Sequence, residues 1–449
     1  MTLLLLSVFL VGLTFSPTAL HAQKGISLIR DAEIEATLRA FSNPLFQAAG
    51  LSPQAIDIYI VKDKSLNAFV AGGQNLFIHT GLIMRSDNPA QLQGVIAHET
   101  GHIAGGHLSR TQDAVTGASA TALLGALLGG AAILGGKPDV GAAVIAGGQQ
   151  AGLRSFLQYS RIQEGAADQA GIKYLESTGH SPRGLLEFFE ILEGQELLAQ
   201  SRQDPYVRSH PLTRDRIDAM RAAIARSPNA DKASPADEIE RHARMKAKLS
   251  AFIESPVITL RRYPESDTSL PARYARAVAY FQRSDWDQSV AELDSLIAER
   301  PDDPYFHELK GQVLFEAGRG VEAMPSYQRA ADLAPRSPLI LGDLARVQIE
   351  TGDDALLPAA VDNLKRSLDL EPTRAFLWRQ LGIAQGRLGN EGASSLALAE
   401  EALLSSKANE ARYHAERAKG AFPEGSREWL QASDILNALD QADARAKKE

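Results

Sequence analysis

The chain has 449 residues, of which 44% are hydrophobic and 23% charged, so it can form two or three globular domains. A formal net charge of −8 and the lack of any long basic run argue against a nucleic-acid-binding protein. The absence of cysteine excludes disulfides, thiolate catalysis and cysteine-ligated zinc. Any metal site must therefore be built from histidine and carboxylate side chains.

The N-terminus predicts an export signal. Residues 1–23 carry no charged side chain, and Leu3–Leu13 is an almost unbroken apolar run. This pattern is typical of a secretory signal peptide that is cleaved near Ala22, although no Lys or Arg precedes the apolar run. We expect residues 1–22 to be a signal peptide and the mature chain to be periplasmic or otherwise extracytoplasmic. An uncleaved anchor that keeps the protein associated with the membrane is the alternative.

The pattern of residues 23–225 predicts a mixed α+β domain. Ile56–Val61 is rich in β-branched residues and predicts a strand. Asn67–Val70 and Leu76–His79 predict two short strands that are joined by a glycine turn. A helix is expected to begin at Asn88–Pro89, because asparagine caps helices well and proline suits the first turn.

Residues 226–270 predict a linker and a connecting helix. The stretch 226–237 is polar and contains prolines, which is typical of a linker between domains. A charged helix is expected at about 237–254.

Residues 271–449 predict an all-α repeat domain. Pro301 and Pro335 are separated by 34 residues, and so are Gly318 and Gly352. A 34-residue period with small residues where helices cross resembles tetratricopeptide repeats, which stack into a solenoid. The alternative, a non-repetitive helical bundle, gives no reason for these landmarks to share one period.

A His-Glu-Thr-Gly-His motif lies on the helix that is expected after Asn88. His98 and His102 are four residues apart and therefore share one helical face, so both imidazoles can bind one metal ion. Glu99 is turned about 100° away. From there it can accept a proton from water that the metal activates. Two ordinary buried histidines are the alternative, but their polar atoms would then need other partners.

A catalytic zinc site needs a third protein ligand. His107 is one residue short of the position that a motif with a distal third histidine requires, so its side chain would point about 100° away. Glu164 is a better candidate because Asp168 follows it by one helical turn. Such a pair suits a metal ligand and a carboxylate that holds an imidazole N–H. A solvated helix face is the alternative for both residues.

Three separated segments carry a family resemblance: NAFVAGGQNLFIHTGLI, GVIAHETGHIAGGHLSR and YSRIQEGAADQAG. Together they closely resemble the gluzincin metallopeptidases related to HtpX, Oma-type and CAAX-prenyl proteases. The signal peptide and the repeats resemble the periplasmic branch of that family. The resemblance implies an α+β peptidase domain with one Zn²⁺ per chain bound by His98, His102 and Glu164. It also implies that Asp168 orients one of the histidines and that the strand at Asn67–Val70 lines the substrate cleft.

The activity that the resemblance implies is that of a zinc metalloendopeptidase. Its substrates would be envelope polypeptides, in quality control of misfolded or misassembled outer-membrane proteins, with the repeats binding protein partners. The family also carries a His-Pro element, which His210 and Pro211 match. His210 would either donate to the oxyanion or act as a fourth ligand, and an ordinary loop histidine is the alternative. A fourth ligand would also allow a different function, that of a chaperone or scaffold with a latent metal centre.

An uncharged insert separates the two ligand segments. Residues 114–136 are long enough to span a bilayer. A single crossing is excluded, because His102 and Glu164 flank the insert and must reach the same ion. We expect a helical hairpin on one side of the membrane, which acts as a lid or which contacts a membrane surface or an unfolded client through residues 114–152. The alternative is a helix that packs on the catalytic domain.

Overall fold

The computed structural model describes residues 27–107, 119, 138–193, 203 and 205–446. Its N-terminal part contains a four-stranded mixed sheet of order β1-β2-β4-β3. The strands are β1 Leu28–Ile29, β2 Ile58–Val61, β3 Ala68–Ala71 and β4 Asn75–His79. β2 is parallel to β4, whereas β1 and β3 are antiparallel to their neighbours. The short turn between β3 and β4 uses glycines with positive φ, and β3 forms one edge of the sheet.

Seven helices of the described residues belong to this N-terminal part. They are α1 Ala32–Ala48, α2 Thr80–Arg85, α3 Pro89–Ala104, α4 Pro138–Ser177, α5 Arg183–Leu192, α6 Pro205–Ser209 and α7 Arg214–Ile224. Side-chain capping fixes the start of α3. Asn88 accepts a hydrogen bond from the backbone N–H of Gln91 (3.0 Å), and the Gln91 side chain accepts one from the N–H of Asp87 (2.9 Å).

Small residues let α3 and α4 approach until their backbones touch. A Cβ on Gly101 would lie 2.9 Å from both the Cα and the carbonyl oxygen of Ala167 on α4. On the facing side, a Cβ on Gly171 would lie 3.1 Å from the backbone nitrogen of His98. The contact therefore brings the His-Glu-Thr-Gly-His turn against the part of α4 that carries Glu164.

The predicted hairpin falls mostly outside the described residues, which omit 108–118 and 120–137. The second uncharged run, Val140–Gly152, is part of α4 and is continuous with the helix that carries Glu164. Among the residues that the structure describes, none of the helices combines the length and the apolar character needed to cross a bilayer.

The C-terminal part is entirely helical. It begins with α8 Ala236–Ile253, which lies where the sequence predicts a charged connecting helix, and α9 Pro256–Arg262. The repeat helices are α10 Leu270–Gln282, α11 Trp286–Glu299, α12 Pro304–Glu316, α13 Gly320–Leu333, α14 Pro338–Glu350, α15 Leu357–Leu370, α16 Ala375–Arg387, α17 Glu391–Leu404, α18 Ala408–Ala421 and α19 Arg427–Ala446. Consecutive helices pack against each other, as expected for a solenoid.

The repeat period is visible in the backbone. Gly318, Gly352 and Gly389 end the first helix of successive repeats with φ between +76° and +79°. Ser284 has φ +60° and lies one 34-residue period before Gly318. A further copy of the repeat therefore begins at α10, with serine in the position that the other copies give to glycine.

Helix α1 contacts the repeats as well as the sheet. Its buried Glu33 accepts a hydrogen bond from the Tyr274 hydroxyl (2.6 Å) and pairs with Arg244 (2.7 Å). Lys248, only 2% exposed, pairs with Asp31 at the start of the same helix (2.8 Å). These charges are shielded from water, so each depends on its partner.

Candidate active site

Three elements bring four donor side chains together. His98 and His102 come from α3, Glu164 from α4 and His210 from the residue after α6. One ligand atom from each lies within 4.8 Å of all the others. The Nε2 atoms of His98 and His102 are 3.1 Å apart, and each is 3.4 Å from a Glu164 carboxylate oxygen. The structure thus places Glu164 beside the two histidines of the motif.

Asp168 lies behind His98, the first histidine of the motif. Its Oδ1 is 2.9 Å from the outer nitrogen, Nδ1, of His98. Arg216 from α7 binds Asp168 through two hydrogen bonds of 2.8 Å and also lies 3.1 Å from Glu164. The same guanidinium donates to the carbonyl of Pro211 (2.7 Å), next to His210. Arg216 therefore connects the two carboxylates of α4 with the His-Pro segment, a role that sequence reasoning missed.

Glu99 is fully buried beside the cluster. Its Oε1 is 3.4 Å from Nε2 of His210, but neither carboxylate oxygen has a hydrogen-bond partner among the described residues. Burial raises the pKa of Glu99. The Tyr206 ring stacks on His210, with ring centroids 4.6 Å apart. His210 thus lies between the two glutamates, with Nδ1 3.2 Å from Glu164 and Nε2 towards Glu99.

The excess of buried carboxylates fits a bound cation. Around the cluster, the described residues bury three carboxylates, those of Glu99, Glu164 and Asp168, against the single guanidinium of Arg216. Burial would raise the pKa of Glu164, but His210 and His98 hold it well below its usual value, so it is an anion. Burial and the nearby His98 lower the pKa of His102 to about 2, so this imidazole is neutral. Although burial lowers the pKa of His98, Asp168 and Glu164 raise it to about 10, so a metal ion would have to displace the proton of His98.

The outer nitrogen of His102 contacts His107, whereas the outer nitrogen of His98 contacts Asp168. Nδ1 of His107 lies 2.9 Å from Nδ1 of His102. His107 is not among the four residues whose ligand atoms converge. This agrees with the expectation that the histidine one residue early is not the third ligand.

The edge strand β3 lies beside the site. It contacts α3, which carries the histidine pair, and α6, which precedes His210. The family resemblance implies that the strand at Asn67–Val70 lines the substrate cleft, and β3 occupies Ala68–Ala71.

This site is that of a metallopeptidase, and the comparisons agree with it. Residues 30–224 match the model of peptidase family M48, and residues 274–338 match that of a tetratricopeptide repeat. The chain therefore combines a peptidase family M48 domain with C-terminal tetratricopeptide repeats.

Two similar proteins align with this chain along most of their length, and a third aligns with less than half of it. The chain is 26% identical to the β-barrel assembly-enhancing protease of Yersinia pestis, over 94% of this chain and 86% of that protein. It is 24% identical to the protein of the same name from Escherichia coli K12, with the same coverage. The metalloprotease LoiP of Escherichia coli K12 is 29% identical over 42% of this chain and 71% of its own length.

Proposed function

We propose that this chain is a zinc-dependent metalloendopeptidase whose metal is held by His98, His102 and Glu164. The observation that carries the proposal is the convergence of their ligand atoms, which lie within 4.8 Å of one another. Two imidazoles and one carboxylate form a donor set that zinc uses in catalytic sites. Bound there, zinc would supply Lewis acidity, which polarises a peptide carbonyl and makes water more acidic.

Glu99 is the proposed general base and general acid. It takes a proton from the attacking water and delivers it to the departing amine. Burial raises the pKa of Glu99, so this carboxylate can take up a proton and release it again more readily than a carboxylate that stays ionised. Asp168 holds His98 with its inner nitrogen towards the metal, and Arg216 keeps both carboxylates of α4 in place.

His210 is proposed to be a fourth ligand in the resting enzyme. One of its ring nitrogens belongs to the converging group, and Nδ1 lies 3.4 Å from Nε2 of His98 and 3.2 Å from Glu164, which favours ligation over the alternative role of oxyanion donor. A fourth protein ligand would occupy the position that water needs until substrate arrives. This arrangement is also what a chaperone or scaffold with a latent metal centre would show.

The substrate is proposed to be an extended polypeptide that adds as a strand to the free edge of β3. Main-chain hydrogen bonds to an edge strand bind a peptide with little dependence on its sequence. The position of β3 supports this, because β3 contacts α3, the helix that carries Glu99, and α6, the helix that precedes His210.

The biological setting is proposed from the relatives. Two of them are named β-barrel assembly-enhancing protease and align with 94% of this chain. We propose that the chain is exported to the periplasm and cleaves misassembled outer-membrane proteins. The proposed organisation is a signal peptide (1–22), a peptidase domain (23–225), a linker with connecting helix (226–270) and a partner-binding repeat domain (271–449).

The test compares the purified full-length chain with Glu99→Gln and His210→Ala. Metal content is measured by elemental analysis, and proteolysis with an unstructured casein substrate. Glu99→Gln should retain one zinc per chain and lose cleavage, because the amide cannot transfer the proton. His210→Ala should cleave faster if the imidazole blocks the water position. Equal cleavage by wild type and Glu99→Gln would refute the proposed peptidase activity. If neither the metal-loaded wild type nor the metal-loaded His210→Ala variant cleaves casein, the scaffold function is favoured.

A further inference from the structure

We infer that His107 is a positioning residue for the metal ligand His102. Its ring accepts a hydrogen bond from the outer imidazole N–H of His102. The inference rests on the proposed ligand set. The supporting geometry is a distance of 2.9 Å between the Nδ1 atoms of the two rings, whose planes cross at 78°. His107 is 7% exposed, so water does not compete freely for this contact.

The direction of the hydrogen bond follows from ligation. Nε2 of His102 faces Glu164 and His98, so Nδ1 is the nitrogen that points away from the metal. A neutral imidazole that binds metal through one nitrogen carries its proton on the other. Nδ1 of His102 must therefore donate, and Nδ1 of His107 must accept. His107 is thereby fixed as the tautomer that has its proton on Nε2.

The turn after α3 is shaped to place this ring. Helix α3 ends at Ala104, and Gly106 has φ +61°, which reverses the chain. The His107 ring then lies directly on Gly105, where a Cβ would overlap three of its ring atoms. The Gln163 side chain, next to Glu164 on α4, donates to the carbonyl of His107 (3.3 Å). The Gly-Gly-His sequence after the motif thus returns an imidazole to the motif's second histidine.

The two motif histidines consequently have different partners. His98 contacts the anionic Asp168, whereas His102 contacts a neutral imidazole. A carboxylate partner makes a ligand imidazole more basic, and a neutral partner orients the ring without adding charge. The centre already buries an excess of carboxylates, so a neutral acceptor orients His102 without a further anion.

The test measures zinc affinity of the full-length chain by competition with a chromogenic chelator. Loss of such a partner lowers metal affinity by about 10–100-fold, and this is the expected effect of His107→Ala. His107→Asn should bind nearly as tightly as wild type, because its side-chain oxygen can accept at the position of Nδ1. A role in packing alone would predict no such rescue by a smaller polar residue.

Gly105→Ala provides a second variant that keeps the imidazole. The backbone at Gly105 is helical (φ −71°, ψ −12°), so alanine is tolerated there and only the His107 ring is in the way. It should weaken zinc binding like His107→Ala, and the double variant should bind no more weakly than His107→Ala alone. Losses that add in the double variant would overturn the inference.

The outcomes separate this inference from the proposed function. If wild type binds zinc and His107→Ala binds it with equal affinity, the inference fails and the ligand set stands. If circular dichroism shows that wild type is folded but it binds no zinc, both the proposed ligand set and this inference are refuted. If His107→Ala does not fold, Gly105→Ala and His107→Asn decide the question.

Discussion

The contact between α3 and α4 makes Gly101→Ala a specific probe of the metal centre. Gly101 is the residue before His102, and its missing side chain lets α3 lie on Ala167. The new Cβ would be 2.9 Å from two backbone atoms of α4. Carbon atoms in good contact are about 3.5–4.0 Å apart, so the helices must separate by roughly 0.5 Å or more. This movement would pull the two histidines away from Glu164.

The expected magnitude has two parts. Overpacking costs about 1–3 kcal/mol, and the better helix propensity of alanine offsets about 1 kcal/mol of it. The metal-free variant should therefore lose at most about 2 kcal/mol in free energy of unfolding. Metal ligation tolerates only about 0.2 Å of error, so zinc affinity should fall by at least about tenfold, or about 1.4 kcal/mol.

Gly165→Ala is the matched control for this experiment. Gly165 follows Glu164 on α4, and a Cβ there would have no heavy atom outside its own helix within 4 Å among the residues that the structure describes. It should retain zinc affinity and gain up to about 1 kcal/mol of stability. Urea unfolding of metal-free protein and chelator competition measure the two quantities separately. Wild-type zinc affinity in Gly101→Ala would refute the argument that this close approach sets the ligand geometry.

Three further predictions concern stability away from the metal. Ser284→Gly should raise the free energy of unfolding by roughly 0.5–1 kcal/mol, because glycine adopts φ +60° without steric cost; unchanged urea midpoints would show that serine is not strained there. Burial lowers the pKa of His242, which contacts Ser86 (2.7 Å), from 6.5 to about 4. Between pH 6.5 and pH 4 the unfolded chain therefore binds a proton at this histidine that the folded chain does not bind. The contribution of His242 to the free energy of unfolding is complete above about pH 6.5 and falls by up to about 3 kcal/mol as the pH falls towards 4. In His242→Gln the loss of stability between pH 7 and pH 5 should be smaller than in wild type, and parallel pH profiles would contradict the assignment. Lys248→Met should destabilise by about 3–5 kcal/mol, because Asp31 loses its paired cation and the buried carboxylates of Glu33 and Glu308 lose a nearby positive charge; a loss under about 1 kcal/mol would mean that these pairs contribute little.

Patterns within one element predict structure well here. The four-residue spacing of His98 and His102 needs only a helix, and Asn88 with Gln91 defines where that helix begins. The predicted strand at Ile56–Val61 is too long, since the observed strand is Ile58–Val61. The carbonyl of Ile56 accepts a hydrogen bond from Arg39 (2.5 Å), which replaces a strand partner and which no local pattern reveals.

Contacts between distant segments are what the sequence leaves open. Arg216 and Asp168 are 48 residues apart, and only the packing of α7 on α4 brings them together. Glu164 is favoured by its spacing from Asp168 and by the family resemblance, but neither pattern shows that α4 packs on α3. His107 was missed for a different reason. The argument against it as a ligand assumed a continuing helix, whereas α3 ends at Ala104 and the glycine turn redirects the ring to the back of His102.

The buried contacts of α1 with α8 and α10 predict that the peptidase domain loses stability when it is separated from the rest of the chain. A chain truncated after residue 225 would keep Glu33 but lose the Tyr274 hydroxyl that donates to it and the Arg244 guanidinium that pairs with it. Because such a fragment would be less stable, its inactivity would not show whether the repeats bind substrate proteins. Exposed positions on the intact solenoid, such as Phe376, are the appropriate sites for dissecting recruitment.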